Sequence, residues 1–192
     1  ILGCGKFAKT FATSVQPFLT DIDLYFASRN LEKAQSYSNT YNGLGAFGSY
    51  EEAISNENVK AVYICTPHHM HVEHANLGAS YKKHILVEKP ISNNVEDAKA
   101  IISSASRNHV KLMVAENYRF MPGVRLCKKL IDQGAIGRVR VIQVQQESPY
   151  EPSDWRKNPD LNGGGVFIDA GIHKIHFLRY ILGEPHQIYA TA

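Results

Sequence analysis

The sequence predicts an α/β protein: a doubly wound parallel sheet in residues 1–117, followed by an incomplete α/β domain in residues 118–192. The first prediction rests on short apolar runs that alternate with helical segments, a pattern typical of parallel strands joined by right-handed crossovers. The second rests on a change of pattern after Asn117, where the alternation stops. Both ends read as truncated elements, so we expect the chain to be part of a longer protein.

The elements of the first domain follow from periodicity and capping signals. A first strand is expected to end at the opening glycines, and the later strands are IDLYFA (22–27), KAVYIC (60–65), HILVE (84–88) and KLMVA (111–115). Asn30 is an expected N-cap, and Ser49 with Glu52 has the spacing of a capping box. The helices are expected to span about 7–15, 30–41, 69–81 and 94–108, with a further start at Ser49.

The second domain is expected to begin with a helix in PGVRLCKKLIDQGAIG (122–137) that is closed by Gly134 or Gly137. The partly alternating run RVRVIQVQQES (138–148) predicts a strand, and HQIYATA (186–192) predicts another. Between them we expect a polar loop over 151–165 and an amphipathic helix from about Val166 to Leu182.

Composition excludes several classes of protein. An apolar content of 44% is enough for a core and argues against disorder. The net charge of +3 is scattered, so we expect neither nucleic acid nor a membrane as partner, and no run approaches the length of a membrane span. Cys4, Cys65 and Cys127 are widely spaced, which argues against a disulfide framework and suits a reducing cytoplasm.

The stretch from Gly3 to Ala8 fits the pattern G-x-G-x-x-[GA] between a strand and a helix. In such a turn the first glycine permits the bend, the second lets the backbone approach a pyrophosphate, and the small third residue lets helix and strand pack closely. The pattern alone is weak, but its βαβ setting favours a dinucleotide site formed by Gly3, Gly5, Lys6, Phe7 and Ala8.

The end of the second strand bears on the choice of cofactor. An NAD site usually has an acidic residue there, whereas this chain has Ser28 and Arg29, which can bind and neutralise a 2′-phosphate. We therefore expect NADP to be preferred, with NAD possible. The alternative is that Arg29 is only a solvated loop residue.

The segment CTPHHMHVEHA (65–75) ends another strand. Thr66, Pro67 and His71 are expected to line the cofactor crevice, because ligands bind at the carboxyl ends of strands in open α/β sheets. His71 and His74 are three residues apart and could be considered as metal ligands. The sequence offers no obvious set of acidic ligands beside them, so we expect no metal.

Glu88 and Lys89 also end a strand, and Pro90 restricts the backbone beyond them. A buried lysine at this edge suits general acid–base work, although a solvated lysine is the plainer alternative. Asp169 and His173 are four residues apart on a predicted helix, so they are expected to share a face and to serve substrate binding or proton relay. The alternative is a merely solvated polar face.

In one order the chain carries Gly-x-Gly-x-x-Ala, Thr-Pro-x-x-x-His, Glu-Lys-Pro, Asn-x-Arg-Phe, Trp-Arg, Gly-Gly-Gly and Asp-x-Gly-x-His. Together these motifs resemble the glucose–fructose oxidoreductase, inositol dehydrogenase and rhizopine-catabolism (Gfo/Idh/MocA) family, over essentially the whole chain. The resemblance implies an N-terminal Rossmann domain and a C-terminal domain with an open, mostly antiparallel sheet. It also implies a homo-oligomer, dimer or tetramer, formed through that sheet.

The resemblance further implies roles for single residues. Lys89, Asp169 and His173 match the family's catalytic residues and would contact the substrate, with Lys89 also at the cofactor. The remaining expected cofactor contacts are Glu88 and Asn117, and the remaining expected substrate contacts are Tyr118, Arg119 and Trp155. One departure is His176, which stands where many members have an acidic residue.

From these residues and the resemblance, we expect an NAD(P)-dependent oxidoreductase that acts on a hydroxyl or carbonyl carbon of a sugar, cyclitol or related polyol. Two alternatives stay open. One is a glycoside hydrolase or epimerase that oxidises its substrate transiently. The other is a nucleotide-binding sensor or scaffold without catalysis.

Overall fold

The computed structural model describes residues 1–18, 20–147, 149 and 151–191. Its strands are all parallel and lie in the N-terminal part: β1 (Tyr25–Ala27), β2 (Gly45–Phe47), β3 (Ala61–Ile64), β4 (His84–Glu88) and β5 (Leu112–Ala115). All but β2 coincide with runs that the sequence predicts as strands.

The expected first strand is reduced to one residue, Leu2, which bridges Ala27 of β1 and Ile64 of β3. The Leu2 amide donates to the Tyr63 carbonyl at 2.8 Å, and the Leu2 carbonyl accepts from the Cys65 amide at 2.9 Å. With Leu2 between β1 and β3, the strand order is β2-β1-Leu2-β3-β4-β5. This is the order of a Rossmann sheet, in which the ligand crevice opens beside the first strand.

Eight α-helices of the described chain connect and flank these strands. They are α1 (Lys6–Val15), α2 (Leu31–Thr40), α3 (Tyr50–Ser55), α4 (His71–Ser80), α5 (Val95–Arg107), α6 (Pro122–Asp132), α7 (Pro159–Asn162) and α8 (Ile172–Leu182). The predicted caps are confirmed: the Asn30 side chain accepts from the Lys33 amide at 2.9 Å, and Ser49 accepts from the Glu52 amide at 3.1 Å.

The core lies around the parallel sheet. Val62, Ile64, Ile85 and Val87 of the central strands are buried, as the continuous apolar runs predict. They pack with small residues of α4, where Gly78 lies so close to the sheet that an added Cβ would stand 3.1 Å from Val62 Cγ2.

The C-terminal part differs from its prediction in two places. Residues 138–147 and 186–191 have no strand structure in the described chain, so the predicted mostly antiparallel sheet is not confirmed. A strand requires a partner for its amides and carbonyls, and the described residues offer none to these segments. Ser148 and Ala192, at the ends of the two predicted strands, lie outside the described residues.

The predicted helix from Val166 to Leu182 is present, but it begins with a π-helical turn, Phe167–Gly171, before α8. None of the described helices is long and apolar enough to cross a bilayer.

Candidate active site

A cleft of about 650 Å³ opens at the carboxyl ends of the strands. Its floor is the glycine turn before α1, and its walls are the residues that follow β1, β3 and β4. Residues 151–156 and Asp169, from the C-terminal part, close one side. The two predicted domains therefore contribute to one cavity.

The glycine turn fits a dinucleotide. Gly3 has φ +95°, and an added Cβ would stand 3.1 Å from the Cys65 carbonyl oxygen. At Gly5 an added Cβ would meet nothing within 4 Å among the described residues, so the backbone there faces open space. In the described chain, α1 also begins with no side-chain cap and no acidic residue in its first turn. Its free N–H groups suit an anion such as a pyrophosphate.

Lys6 and Phe7 line the same cleft, whereas Ala8 is fully buried beneath it. Ala8 thus fills the place of the small third residue of the motif, which allows close packing of the helix on the sheet.

The end of the cleft that follows β1 is lined by basic side chains. Ser28 and Arg29 line it as predicted, and Lys33 joins them from the first turn of α2. The Ser28 hydroxyl oxygen accepts from the Asn30 amide at 3.2 Å, which fixes the turn. Lys33 was not predicted from the sequence. It lies four residues after Arg29, in the first turn of the predicted helix, and this spacing could have indicated a second basic side chain at the same place.

The end of β3 is held by buried histidines. His71 is fully buried, with Nδ1 2.9 Å from the Pro90 carbonyl oxygen and Nε2 3.0 Å from that of Thr66. It ties the ends of β3 and β4 together, while Thr66 and Pro67 line the cleft directly. Burial lowers the pKa of His71, although the carbonyl hydrogen bonds oppose the shift.

His68 also lines the cleft, and the sequence reasoning did not select it. Its ring packs edge-on against Trp155 at 4.5 Å between centroids, and its Nε2 lies 3.9 Å from Oδ1 of Asp169. Burial, and secondly the neighbouring His71, lowers the pKa of His68 to about 3. His68 is therefore a neutral wall residue.

Lys89 is buried, with 6% of its surface exposed, so the alternative of a solvated lysine is wrong. Its Nζ donates to the Asp169 carbonyl oxygen at 2.5 Å and to Asp169 Oδ1 at 3.2 Å. Asp169 Oδ2 accepts from Arg156 Nε at 3.0 Å. Burial raises the pKa of Asp169, but Lys89 and Arg156 outweigh that effect and lower it overall. The carboxylate compensates the buried ammonium group.

Glu88 points to a different partner from Lys89. The Tyr63 hydroxyl donates to Glu88 Oε1, and the Lys89 amide donates to Oε2 at 3.3 Å. Burial raises the pKa of Glu88, while the Tyr63 hydrogen bond and the Lys89 charge reduce the shift. Glu88 lies in the cleft wall beside Lys89, as expected from its place at the strand end.

His173 lies apart from Asp169 in its contacts. Its Nδ1 is 2.7 and 2.9 Å from the two carboxylate oxygens of Glu116, and its ring stacks on Tyr118 at 4.4 Å. The predicted shared helix face therefore does not bring Asp169 and His173 into contact in the described chain, because Asp169 lies in the π-helical turn and faces Lys89. The sequence reasoning missed Glu116.

The remaining predicted residues lie around His173 and α8. Asn117 begins a single 3-10 turn, Asn117–Phe120, that follows β5. The Arg119 guanidinium lies 5.1 Å from the ring centre of Tyr180. The divergent His176 also stacks near Tyr180, and its buried Nε2 has no partner among the described residues. In the described part of the chain, no group of His, Cys, Asp and Glu side chains is arranged to hold a metal.

Comparison with protein families agrees with this geometry. Residues 1–116 match the model of the oxidoreductase family with an NAD-binding Rossmann fold, and residues 124–192 match the Gfo/Idh/MocA C-terminal domain.

Curated relatives include levoglucosan dehydrogenase of Pseudarthrobacter phenanthrenivorans, 33% identical over 86% of this chain and 44% of the relative. Mouse trans-1,2-dihydrobenzene-1,2-diol dehydrogenase is 32% identical over 100% of this chain and 58% of the relative. The chain thus spans about half the length of these relatives.

Solved structures give the same result. Levoglucosan dehydrogenase in complex with NADH and levoglucosan superposes with a TM-score of 0.81 at 30% identity, covering 95% of this chain and 53% of that one. A putative myo-inositol dehydrogenase from Sinorhizobium meliloti 1021 gives 0.84 at 29% identity, covering 96% of this chain and 54% of that one. The chain therefore belongs to the Gfo/Idh/MocA oxidoreductase family.

Proposed function

We propose that the full protein is an NAD(P)-dependent oxidoreductase acting on a hydroxyl or carbonyl carbon of a sugar, cyclitol or related polyol. The observation that carries this proposal is the buried Lys89, which lies with Asp169 in the same cleft as the glycine turn. The relatives named as levoglucosan and inositol dehydrogenases support the substrate class.

Two residues of the chain would act on the reacting oxygen of the substrate, one as a hydrogen-bond donor and one in proton transfer. The nicotinamide, when bound, supplies or accepts the hydride. Lys89 Nζ, held by Asp169 and lying 5.7 Å from the ring centre of Phe7, is a donor for the substrate oxygen. His173, from the adjoining helix α8, would take or return the hydroxyl proton, since hydride transfer without proton transfer leaves a high-energy alkoxide.

We propose that NADP is preferred over NAD. Arg29 and Lys33 line the end of the cleft that follows β1, where the adenosine ribose lies in this fold. Charge-assisted hydrogen bonds contribute about 1.5–3 kcal/mol, so Arg29→Ala should weaken NADPH binding by about 10-fold or more and leave NADH binding nearly unchanged. Arg107→Ala, at the exposed end of α5, is the matched control. Equal losses for both cofactors would contradict the preference.

We also propose how the full protein is organised into domains and subunits. We place the domain boundary at 117/118, supported by the end of β5 at Ala115. We propose that the runs beginning at Arg138 and His186 become strands of the C-terminal sheet in the full chain, and that this sheet forms a dimer or tetramer. The free cysteines support placement in the cytoplasm.

The test is a screen of the full-length protein with NADP⁺ and NAD⁺ against sugars, cyclitols and polyols, followed by absorbance of the reduced nicotinamide. Net reduction with at least one substrate class is expected. Substrate conversion without net reduction would instead indicate a hydrolase or epimerase with transient oxidation. Cofactor binding without conversion of any substrate would indicate a sensor or scaffold.

A further inference from the structure

Glu116 and His173 form a partly buried carboxylate–imidazole pair outside the Lys89–Asp169 pair. Glu116 follows β5, and His173 lies in the first turn of α8. Their side chains are 11% and 15% exposed, and His173 Nδ1 lies 2.7 and 2.9 Å from the two carboxylate oxygens. Because a carboxylate only accepts hydrogen bonds, this geometry places a proton on Nδ1.

The ring of His173 is held in orientation as well as in tautomer. Tyr118 stacks on it at 4.4 Å with an angle of 12° between the ring planes. The Tyr118 amide donates to Glu116 Oε1 at 3.0 Å, and the Tyr118 hydroxyl accepts from Lys174 Nζ at 3.1 Å. One short turn of chain thus fixes both the carboxylate and the ring.

The other ring nitrogen of His173 is not used by this pair. His173 Nε2 has no protein partner among the described residues and is not one of the buried unpaired atoms. Among the described residues, His173 is not part of the cleft lining, but it follows by four positions Asp169, which is. Nε2 is therefore the ring nitrogen left free to accept a proton.

We propose that Glu116 is the positioning residue for His173: it holds the Nδ1–H tautomer, so that Nε2 accepts the substrate hydroxyl proton. In alcohol oxidation the substrate O–H bond would break and its proton would form the Nε2–H bond. The neighbouring C–H bond would break with transfer of a hydride to the oxidised nicotinamide, which would leave a carbonyl. The resulting imidazolium is stabilised by the Glu116 carboxylate. The catalytic part of this inference rests on the proposed function.

The first test does not depend on turnover. Nitrogen NMR of the full-length protein with ¹⁵N-histidine should show His173 as the Nδ1–H tautomer near neutral pH, assigned with His173→Ala. Glu116→Gln should convert the population towards Nε2–H, because an amide can donate to Nδ1. Glu116→Asp should restore the native tautomer in part. An unchanged tautomer in Glu116→Gln would overturn the proposal.

The second test uses steady-state kinetics. Glu116→Gln should lower kcat on the order of 10²-fold, change KM only a few-fold, and move the pH profile. Glu57→Gln, an exposed acid on a distant loop, is the matched control. Circular dichroism and cofactor titration establish that each variant is folded.

If Glu116→Gln keeps its kcat and pH profile while the tautomer changes, the inference that turnover depends on the positioning of His173 by Glu116 is wrong. A wild-type protein that binds cofactor but turns over no substrate would defeat the proposed function, and the NMR result would still decide the positioning of His173.

Discussion

The N-terminal and C-terminal parts of the chain contribute to the same cleft but differ in how they are held. The N-terminal part has a continuous parallel sheet, and its core includes Leu2, Phe26 and Ile64. In the part that the structure describes beyond Asn117, Ile181 is the one buried apolar residue. Burial of apolar surface is the main stabilising term in folding, so most of the core stability of this chain lies in the sheet.

The N-terminal and C-terminal parts also supply different kinds of residue to the site. The sheet carries the glycine turn, the basic residues after β1 and Lys89. The C-terminal part supplies Asp169 and Arg156 to the cleft lining. These two residues and His173 are held by hydrogen bonds and charge, and the His173 ring also stacks on Tyr118. Substitutions at the glycine turn and after β1 should therefore affect cofactor binding, whereas substitutions of Lys89 and in the C-terminal part should affect turnover.

The largest effect is expected for Lys89→Met, which removes the ammonium group where the two parts meet. Turnover should fall by about 10²–10⁴-fold, because the substrate oxygen loses its donor, while cofactor affinity changes only a few-fold. Steady-state kinetics and a cofactor titration measure the two quantities. Lys99→Met, exposed on α5, is the control. Near-normal turnover in Lys89→Met would remove this lysine from the mechanism.

The two glycines of the turn before α1 are expected to affect different properties, one stability and the other cofactor binding. Gly3→Ala places a side chain at φ +95° and 3.1 Å from the Cys65 carbonyl oxygen, so the free energy of unfolding should fall by about 1–3 kcal/mol. Gly5→Ala enters open space and should leave stability unchanged but weaken cofactor binding about 10-fold, because its methyl group lies where the pyrophosphate would approach. Thermal unfolding and titration measure both. The opposite assignment of effects would contradict the model of the turn.

Arg156→Ala tests the C-terminal contribution alone. Arg156 supplies one of the two cations that lower the pKa of Asp169, so its loss should raise that pKa and move the acid limb of the activity profile to higher pH. We expect KM for substrate to rise about 10-fold, with cofactor affinity unchanged. Lys157→Ala, exposed in the same 3-10 turn as Arg156, is the control. An acid limb that stays in place would show that Asp169 does not govern it.

The last effect concerns stability in acid and leaves activity aside; it is centred on His74 of α4. Burial lowers the pKa of His74 to about 4, whereas an unfolded histidine titrates near 6.5. The unfolded state therefore binds more protons between these values, so stability is full above pH about 6.5 and is lost as the pH falls towards 4. His74→Gln should flatten this slope by up to about 1.4 kcal/mol per pH unit. Denaturant titrations across this range measure it, and an unchanged slope would contradict the shift.

Local and periodic signals predicted most of the N-terminal part. The caps at Asn30 and Ser49, the apolar runs and the glycine turn depend on residues near each other in sequence, and the structure confirms them. The strand β2 was missed because Gly45–Phe47 is too short to show a period.

The rest of the site depends on contacts that no local pattern encodes. Glu116 and His173 are 57 residues apart, and Lys89 and Asp169 are 80 apart. The helical spacing of Asp169 and His173 indicated a shared face, but the π-helical turn sends Asp169 to Lys89 instead. The segment 138–148 has the pattern of a strand, yet in the described residues it lacks the partner that would make it one.

The most direct test of the central claim is a titration of the full-length protein with NADPH and NADH, followed by nicotinamide fluorescence. The cleft geometry predicts saturable binding of both, with NADPH tighter because Arg29 and Lys33 line the end that follows β1. Binding of neither cofactor would contradict the assignment of the cleft and the oxidoreductase proposal built on it.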